Sequence, residues 1–262
     1  MGIEMQGSYG SPYLIALAYA MSCVGCGMGL STMARARSAT GRARRRWLAL
    51  AAVSIGGTGI WVMHFIAMLG YSLPNTQITF NLPLTLVSLA VSVGVVWYGL
   101  HFAVRGEGGF VSLIPAGAVT GIGVAGMHYL GMAAMNVQAS VHYNLLLVVL
   151  SVVIAVTAAT VALWFAVNLR AAAAMLGAAL LMGVAVTGMH FTGEAAMVVS
   201  TAHEAAGGGL TSNQLIAPLV IVVVVSTFAI LLTLGLSPSA AEMEQEERVK
   251  ENLQKLADLR RI

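Results

Sequence analysis

The stretch AGMHYLGMAAM, residues 125–135, places a histidine in an apolar segment and has two close counterparts in the chain. The segments WVMHFIAMLG at 61–70 and VTGMHFTGEAAM at 186–197 align with it without gaps. Their histidines, His64, His128 and His190, are separated by 64 and 62 residues. A period of this length corresponds to two membrane-crossing helices with their loops. The sequence therefore predicts three helical hairpins, each with the motif on its second helix.

Composition supports a membrane location for these hairpins. The chain has 262 residues, of which 58% are hydrophobic and 9% charged, and its mean hydropathy is +0.86. Each apolar segment has about 20 residues or more, enough to cross roughly 30 Å of hydrocarbon as a helix. The predicted spans are 12–34, 47–72, 82–104, 111–136, 143–167, 171–200 and 213–236. The predicted fold class is an all-α, polytopic membrane bundle of seven transmembrane helices, three hairpin repeats followed by one exit helix.

The basic residues predict the orientation of the bundle. Six arginines lie between Arg35 and Arg46, in a predicted loop between the first two helices. Lys and Arg are retained on the cytoplasmic side of membranes. We therefore expect the N-terminus outside, the C-terminus in the cytoplasm and all 13 basic residues facing the cytoplasm. Arginines between two membrane helices suit anionic lipid headgroups of the bilayer, so no nucleic acid partner is expected.

Each motif predicts a stripe of donor atoms along one helix face. Residues at i, i+4 and i+7 share a face of a helix, and we expect the three histidines to share one depth, about 12 to 15 Å below the outer helix ends. Imidazole and thioether are uncharged ligands, and soft thioether sulfur together with imidazole favours copper, particularly Cu(I). The candidate ligands are Met63, His64, Met68, Met127, His128, Met132, Met189, His190, Glu194 and Met197.

Three other features have more than one interpretation. Glu194 is the one charged residue predicted inside a membrane helix, where it balances a cation, relays a proton or is protonated and hydrogen-bonded. Cys23 and Cys26 are one helical turn apart, which suits an additional metal or redox site or close helix packing. The glycines of GIGVAG at 121–126 predict helix packing, because no strand precedes them as a dinucleotide site requires.

The repeated Met-His-aromatic segments on alternating helices resemble the MHYT sensor domain of bacterial integral membrane proteins, over roughly residues 12–236. The resemblance implies a sensory module of the bacterial inner membrane, joined to a cytoplasmic output such as a cyclic di-GMP synthase or phosphodiesterase, or a histidine kinase. It also implies copper bound through the motif histidines and methionines, with oxygen, carbon monoxide or nitric oxide as the signal. The copies depart from the family pattern, because only Tyr129 keeps the tyrosine and only Thr192 the threonine.

The tail completes the predicted organisation. Residues 1–238 form the membrane sensor, and 239–262 form a cytoplasmic helical linker toward an output domain beyond this chain. Val249, Leu253 and Leu256 have coiled-coil spacing, which predicts a homodimer whose seventh helix transmits the signal as a rigid coil. No catalytic constellation is visible, so the chain itself is not expected to be an enzyme. The alternatives are a haem- or copper-handling redox or transport protein, and a dimerising anchor without metal.

Overall fold

The computed structural model describes residues 4–5, 11–74, 76–105, 109–137, 139–201, 209–239, 242–243, 245–246, 248–249 and 252–254. Within this part of the chain, seven helices are long and apolar enough to cross a membrane. They are α1 (Pro12–Ser38), α2 (Gly41–Gly70), α3 (Leu82–Arg105), α4 (Phe110–Ala133), α5 (Leu145–Asn168), α6 (Ala172–Ala195) and α7 (Ser212–Leu236). The predicted seven-helix membrane bundle is confirmed.

Local sequence explains where several helices begin. The side chain of Asn144 accepts hydrogen bonds from the backbone N–H groups of Leu146 and Leu147 at the start of α5. Thr211 and Gln214 form a reciprocal capping box at the start of α7. These contacts satisfy backbone donors that have no partner within the helix.

The arginine-rich segment is helical, which corrects the predicted loop. The first helix continues to Ser38 and the second begins at Gly41, leaving Ala39 and Thr40 between them. Arginine is a good helix former, so the segment extends both helices instead of interrupting them. Gly41 has φ +55°, a left-handed conformation that glycine adopts without steric cost and that permits this short connection.

Arginine side chains tie this end of the bundle together. Arg35 donates to the carbonyl of Leu234 at 3.0 Å and Arg44 to that of Val104 at 3.3 Å. Arg37 donates to the carbonyl of Leu169. These carbonyls lie at or next to the C-terminal ends of α7, α3 and α5. We call this end of the bundle the basic end.

Two small antiparallel sheets lie at the opposite end, which we call the strand end. Their strand orders are β1-β5-β4 and β3-β2-β6. The strands are β1 (Glu4–Met5), β2 (Thr79–Phe80), β3 (Met135–Asn136), β4 (Ala139–Tyr143), β5 (Met197–Thr201) and β6 (Leu210–Thr211). Most belong to the connections that follow the three motif helices. They were not predicted, because strands of two to five residues give too short a pattern.

The second helix is the centre of the bundle. Its membrane-crossing stretch is 89% buried, compared with 17–39% in the other six spans. Residues Val53–Val62 form a π-helix directly before the first motif. Glycines allow neighbouring backbones to approach this segment, since a Cβ on Gly56 would lie 2.8 Å from the carbonyl oxygen of Ser92. The Ser92 hydroxyl in turn donates to the Gly56 carbonyl at 2.7 Å.

The exit helix does not continue into the tail. The seventh helix ends at Leu236, and Ser237 is extended, with φ −105° and ψ 147°. Glu242 is again helical, and it forms a reciprocal capping box with Ser239 that marks the start of a new helix. The prediction of one rigid rod through this junction is wrong, because the extended residues interrupt the helical hydrogen bonds. Leu256 lies outside the described residues.

Candidate metal centre

The three motif histidines meet at one point inside the bundle. Their Nδ1 atoms form a triangle with sides of 3.0 Å (His64 to His190), 3.1 Å (His64 to His128) and 3.3 Å (His128 to His190). The three rings are nearly perpendicular to one another, with interplanar angles of 81° to 89°. Each ring belongs to a different hairpin, so the internal repeat produces a site with approximate three-fold symmetry.

The site lies closer to the helix ends than predicted. His64 is six residues before the end of α2 at Gly70, and His128 and His190 are five residues before Ala133 and Ala195. This corresponds to about 8 to 9 Å at 1.5 Å per residue. The predicted depth of about 12 to 15 Å assumed that the three motif helices continue to residues 72, 136 and 200. All three of these residues lie beyond the helix ends.

Two glycines make room for the rings. A Cβ on Gly131 would lie 2.3 Å from Nε2 of His64, and one on Gly193 would lie 2.4 Å from Nε2 of His128. Each glycine follows the histidine of its own helix by three positions and packs against the ring from another hairpin. This role of the glycines was not predicted, although the sequence His-x-x-Gly occurs in two of the three motifs. The equivalent position of the first motif is Ala67.

Glu194 lies beside the triangle and not at its centre. Its carboxylate Oε2 is 3.3 Å from Nε2 of His190, the ring nitrogen that points away from the other histidines. The angles at this contact are unfavourable for a regular hydrogen bond, so both atoms are buried without one. The group of potential ligands within 4.8 Å of one another contains the three histidines and excludes Glu194. A carboxylate in this position orients a ligating imidazole and fixes its tautomer.

The triangle has the dimensions of a site for one small ion. A point equidistant from nitrogens about 3.1 Å apart lies about 1.8 Å from each, against roughly 2.0 Å for a metal–imidazole bond. An outward movement of a few tenths of an ångström brings the nitrogens to bonding distance. Neutral histidines that ligate through Nδ1 carry their proton on Nε2. The three Nε2 atoms are buried and lack hydrogen-bond partners in the described structure.

The predicted methionine ligands fall into different environments. Met63, Met68, Met127, Met132 and Met189 are all at most 2% exposed. Met189 lines an apolar cavity on the basic-end side of the histidines. Met197 is not on the motif helix, because α6 ends at Ala195 and this residue pairs with Tyr143 in the β4–β5 ladder. The prediction that Met197 and His190 lie on one face of the same helix is therefore wrong.

The other predicted ligands and histidines lie outside the cluster. Cys23 packs against Gly183 and Cys26 against Gly59. Both cysteines are free, and neither belongs to a group of three or more potential ligands among the described residues. The ring of His101 stacks on Trp97 at 4.9 Å. His142 is exposed in β4, and His203 lies outside the described residues.

A hydroxyl network borders the site at the strand end. The hydroxyls of Tyr129 and Ser151 are 2.8 Å apart, and the ring of Tyr129 meets that of Tyr143 edge-on at 5.7 Å. Burial, with a smaller contribution from Tyr129, raises the pKa of Tyr143 above its ordinary value. The phenol of Tyr143 is therefore neutral near pH 7.

The fold and the cluster define a polytopic membrane protein with a buried three-histidine centre near one end of its bundle. The chain belongs to the MHYT family, whose model is described as a bacterial signalling protein N terminal repeat and matches residues 57–116 and 121–179. These matches contain His64 and His128. The third motif copy, with His190, lies beyond them.

Curated relatives of the chain are signalling proteins. The bifunctional diguanylate cyclase/cyclic di-GMP phosphodiesterase MucR of Pseudomonas aeruginosa is 36% identical over 87% of this chain and 34% of its own length. The cyclic di-GMP phosphodiesterase NbdA of the same species is 35% identical over 76% of this chain and 26% of its own length. The signaling protein YkoW of Bacillus subtilis is 25% identical over 94% of this chain and 31% of its own length. The chain thus spans about a third or less of these relatives. No solved structure shows a significant match.

Proposed function

We propose that this chain is a membrane sensory input region that binds one copper ion through His64, His128 and His190, responds to a diatomic gas or a redox or metal signal, and regulates cyclic di-GMP turnover in an attached output domain. The observation that carries the proposal is the convergence of three buried Nδ1 atoms within 3.3 Å of one another. Three neutral imidazoles form a donor set suited to copper. Bound copper would supply a redox-active centre that can take a further small ligand.

Charge balance favours Cu(I) over a divalent ion. Among the described residues, Glu194 is the one acidic residue beside the buried cluster, and its carboxylate contacts the outer nitrogen of His190. One carboxylate neutralises one positive charge, whereas a divalent ion would leave an uncompensated charge in an apolar interior. The positioning of His190 and the compensation of charge are thus two roles for the same side chain.

The shape of the cluster favours a metal ion over haem. Axial histidines of a haem approach the iron from opposite faces of a flat macrocycle. Here three nitrogens converge on one point from three mutually perpendicular rings, which suits a single ion. The redox or transport alternative with copper predicts the same ligands and differs in what the protein does with the ion.

The signalling role rests on the relatives. MucR and NbdA carry names that describe cyclic di-GMP synthesis and hydrolysis, and this chain aligns with about a third or less of each. We propose that the basic end faces the cytoplasm of a bacterium, that the tail leads to such an output and that the signalling form is a homodimer. Val249 and Leu253 are 51% and 61% exposed, which leaves both available to a second copy.

Metal analysis of protein purified without chelator tests the proposal. We expect about one copper per chain and no haem absorption band. His64→Ala, His128→Ala and His190→Ala should each lower the copper content at least tenfold. His101→Ala is the matched control, because this histidine also lies in a membrane helix but outside the cluster. Copper content that is equal in all four variants contradicts the shared site, and a Soret band supports the haem alternative. Absence of any metal supports the dimerising anchor.

A further inference from the structure

An apolar cavity of about 60 Å³ lies beside the histidine triangle, toward the basic end. Ile60, Val124 and Val186 line it, and each lies four residues before the histidine of its own helix. Four residues correspond to one helical turn, so these three side chains form a layer directly next to the three imidazoles. Met189, the neighbour of His190 in sequence, also lines the cavity.

The chemistry of the cavity wall excludes water. The other described lining residues include Ala155, Leu163 and Met182, and Thr120 is the one polar member. The Thr120 hydroxyl donates its hydrogen to the carbonyl of Ala116 at 2.7 Å, so it has no donor hydrogen left for a water. A buried water needs two to four polar partners, and apolar cavities without them remain dry. A volume of about 60 Å³ is roughly twice the share of one water in the liquid, which suits a small apolar molecule.

A groove on the lipid-facing side of the bundle adjoins this cavity. It lies between α5 and α6 and shares Ala158, Met182 and Ala185 with the cavity. Exposure falls along the groove, from Val153 at 55% and Leu181 at 53%, through the half-buried alanines, to Met182 at 5%. The small side chains of Ala158 and Ala185 line both spaces, and we call their position the neck between the groove and the interior.

From this continuity we infer that the cavity is a binding site for an uncharged apolar molecule of two or three heavy atoms, with dioxygen as the physiological example, and that this molecule enters from the bilayer between α5 and α6. Small apolar molecules leave water for hydrocarbon, so the bilayer concentrates them at the mouth of the groove. The cavity then holds them one helical turn from the histidines. The physiological role of this site, which is to hold the molecule next to a bound metal, rests on the proposed function. The binding itself does not require a metal.

Xenon tests the cavity, because it is an inert apolar atom that binds in dry protein cavities. The experiment is 129Xe saturation-transfer NMR on the metal-free full chain in lipid nanodiscs. We expect a saturable bound signal, distinct from xenon in lipid and water. Val124→Leu and Ala159→Val fill the cavity from two different helices and should each weaken xenon binding at least tenfold. Using both positions keeps the test valid if one variant fails to fold.

The entry route has its own variant and control. Ala185→Val narrows the neck and should slow xenon exchange severalfold. Ala229→Val is the matched control, because this alanine is exposed on α7 and lines neither the cavity nor the groove. No bound signal, or a signal that both filling variants leave unchanged, overturns the binding site. An exchange rate that is equal in Ala185→Val and Ala229→Val overturns the route. Metal content is measured separately, so xenon binding without copper would contradict the proposed function and leave the cavity site standing.

Discussion

Gly131 and Gly193 fix the positions of two imidazoles in the candidate metal centre. A methyl group at either position would lie 2.3 to 2.4 Å from a ring nitrogen, so the ring must shift from its position in the triangle. We expect Gly131→Ala and Gly193→Ala to lower copper content about as strongly as removal of the displaced histidine. The measurement is copper per chain in purified protein.

Gly126→Ala and Gly188→Ala are the matched controls for these variants. Each lies on the same helix as its counterpart, and a Cβ there meets nothing within 4 Å. Alanine is favoured over glycine in a helix by about 1 kcal/mol, so helix propensity predicts no loss in any of the four variants. Equal copper content in all four would show that close packing against the rings does not position them.

Glu194 acts on the cluster through its contact with His190. Glu194→Gln preserves the shape of the side chain and removes its charge, so it separates charge from packing. Loss of a carboxylate that orients a metal ligand typically costs 10- to 100-fold in metal affinity. We expect a decrease of about this size, measured by competition with a Cu(I) chelator, together with a weaker dependence of affinity on pH. Full affinity and an unchanged pH response in this variant would leave the carboxylate without a role at the site.

The histidine positions could be predicted from sequence because the repeat period brings one histidine from each hairpin to the same depth. The orientation of each ring could not, since it depends on glycines from another hairpin that periodicity does not connect. The same limit explains why Met197 was wrongly predicted to lie on α6. The sequence remains apolar where this helix ends, and nothing in the pattern marks the change to β5.

At the scale of elements, the seven spans were predictable because length and hydropathy determine them. The π-helix at Val53–Val62 could not be predicted, because it depends on contacts with other helices. Gly56 packs against the backbone of α3 and Gly59 against that of α1. The hydroxyl of Ser92 donates a hydrogen bond to the carbonyl of Gly56. Short π segments frequently occur at functional sites. Here the segment directly precedes His64 and contributes Ile55 and Ile60 to the apolar cavity.

The helix that begins after α7 should respond to acid through Glu242. Hydrogen bonds from the backbone N–H and then the hydroxyl of Ser239 hold the pKa of Glu242 below its ordinary value. A lowered pKa means that this cap contributes its full stability above the ordinary glutamate pKa and loses it as pH falls through the lowered value. We expect a nitroxide attached at position 245 to become more mobile over this acidic range, as measured by EPR. If nitroxide mobility depends on pH in the same way in Glu242→Gln, Glu242 is not the group that responds to acid.

At the scale of the whole molecule, Arg35 joins the sensor to the tail. Its guanidinium donates to the carbonyls of Leu234 and Pro238, both at 3.0 Å, and its charge lies 5.5 Å from the ring centre of Trp47. The contact thus connects the ends of α1 and α7 with the start of α2. If the bundle changes conformation, we expect this arginine to carry the change to the linker.

Replacing this arginine should separate sensing from output. In a fusion to a diguanylate cyclase domain, we expect Arg35→Ala to retain copper and to lose at least half of the copper-dependent change in cyclic di-GMP synthesis. Arg42→Ala is the control, because it removes a similar charge from the same end of the bundle, and Arg42 makes no hydrogen bond to α7 in the described part of the chain. Equal regulation in both variants would show that the signal leaves the membrane by another contact.

We call the contacts of Arg35 with Leu234 and Pro238 the clamp. Insertions in the linker distinguish signal transmission through this clamp from transmission by a rigid rotating helix. A continuous helix would turn by about 100° per added residue, so output would vary with phase and partly recover after four insertions. The linker at Ser237 is instead extended, and an added residue there increases the separation by about 3.3 Å with no fixed rotation. We therefore expect one to four residues inserted after Ser237 to reduce regulated cyclic di-GMP synthesis progressively, without recovery at four. Recovery at four would contradict the clamp and show that the junction becomes helical when it transmits, because only a helix returns to its original phase after about one turn.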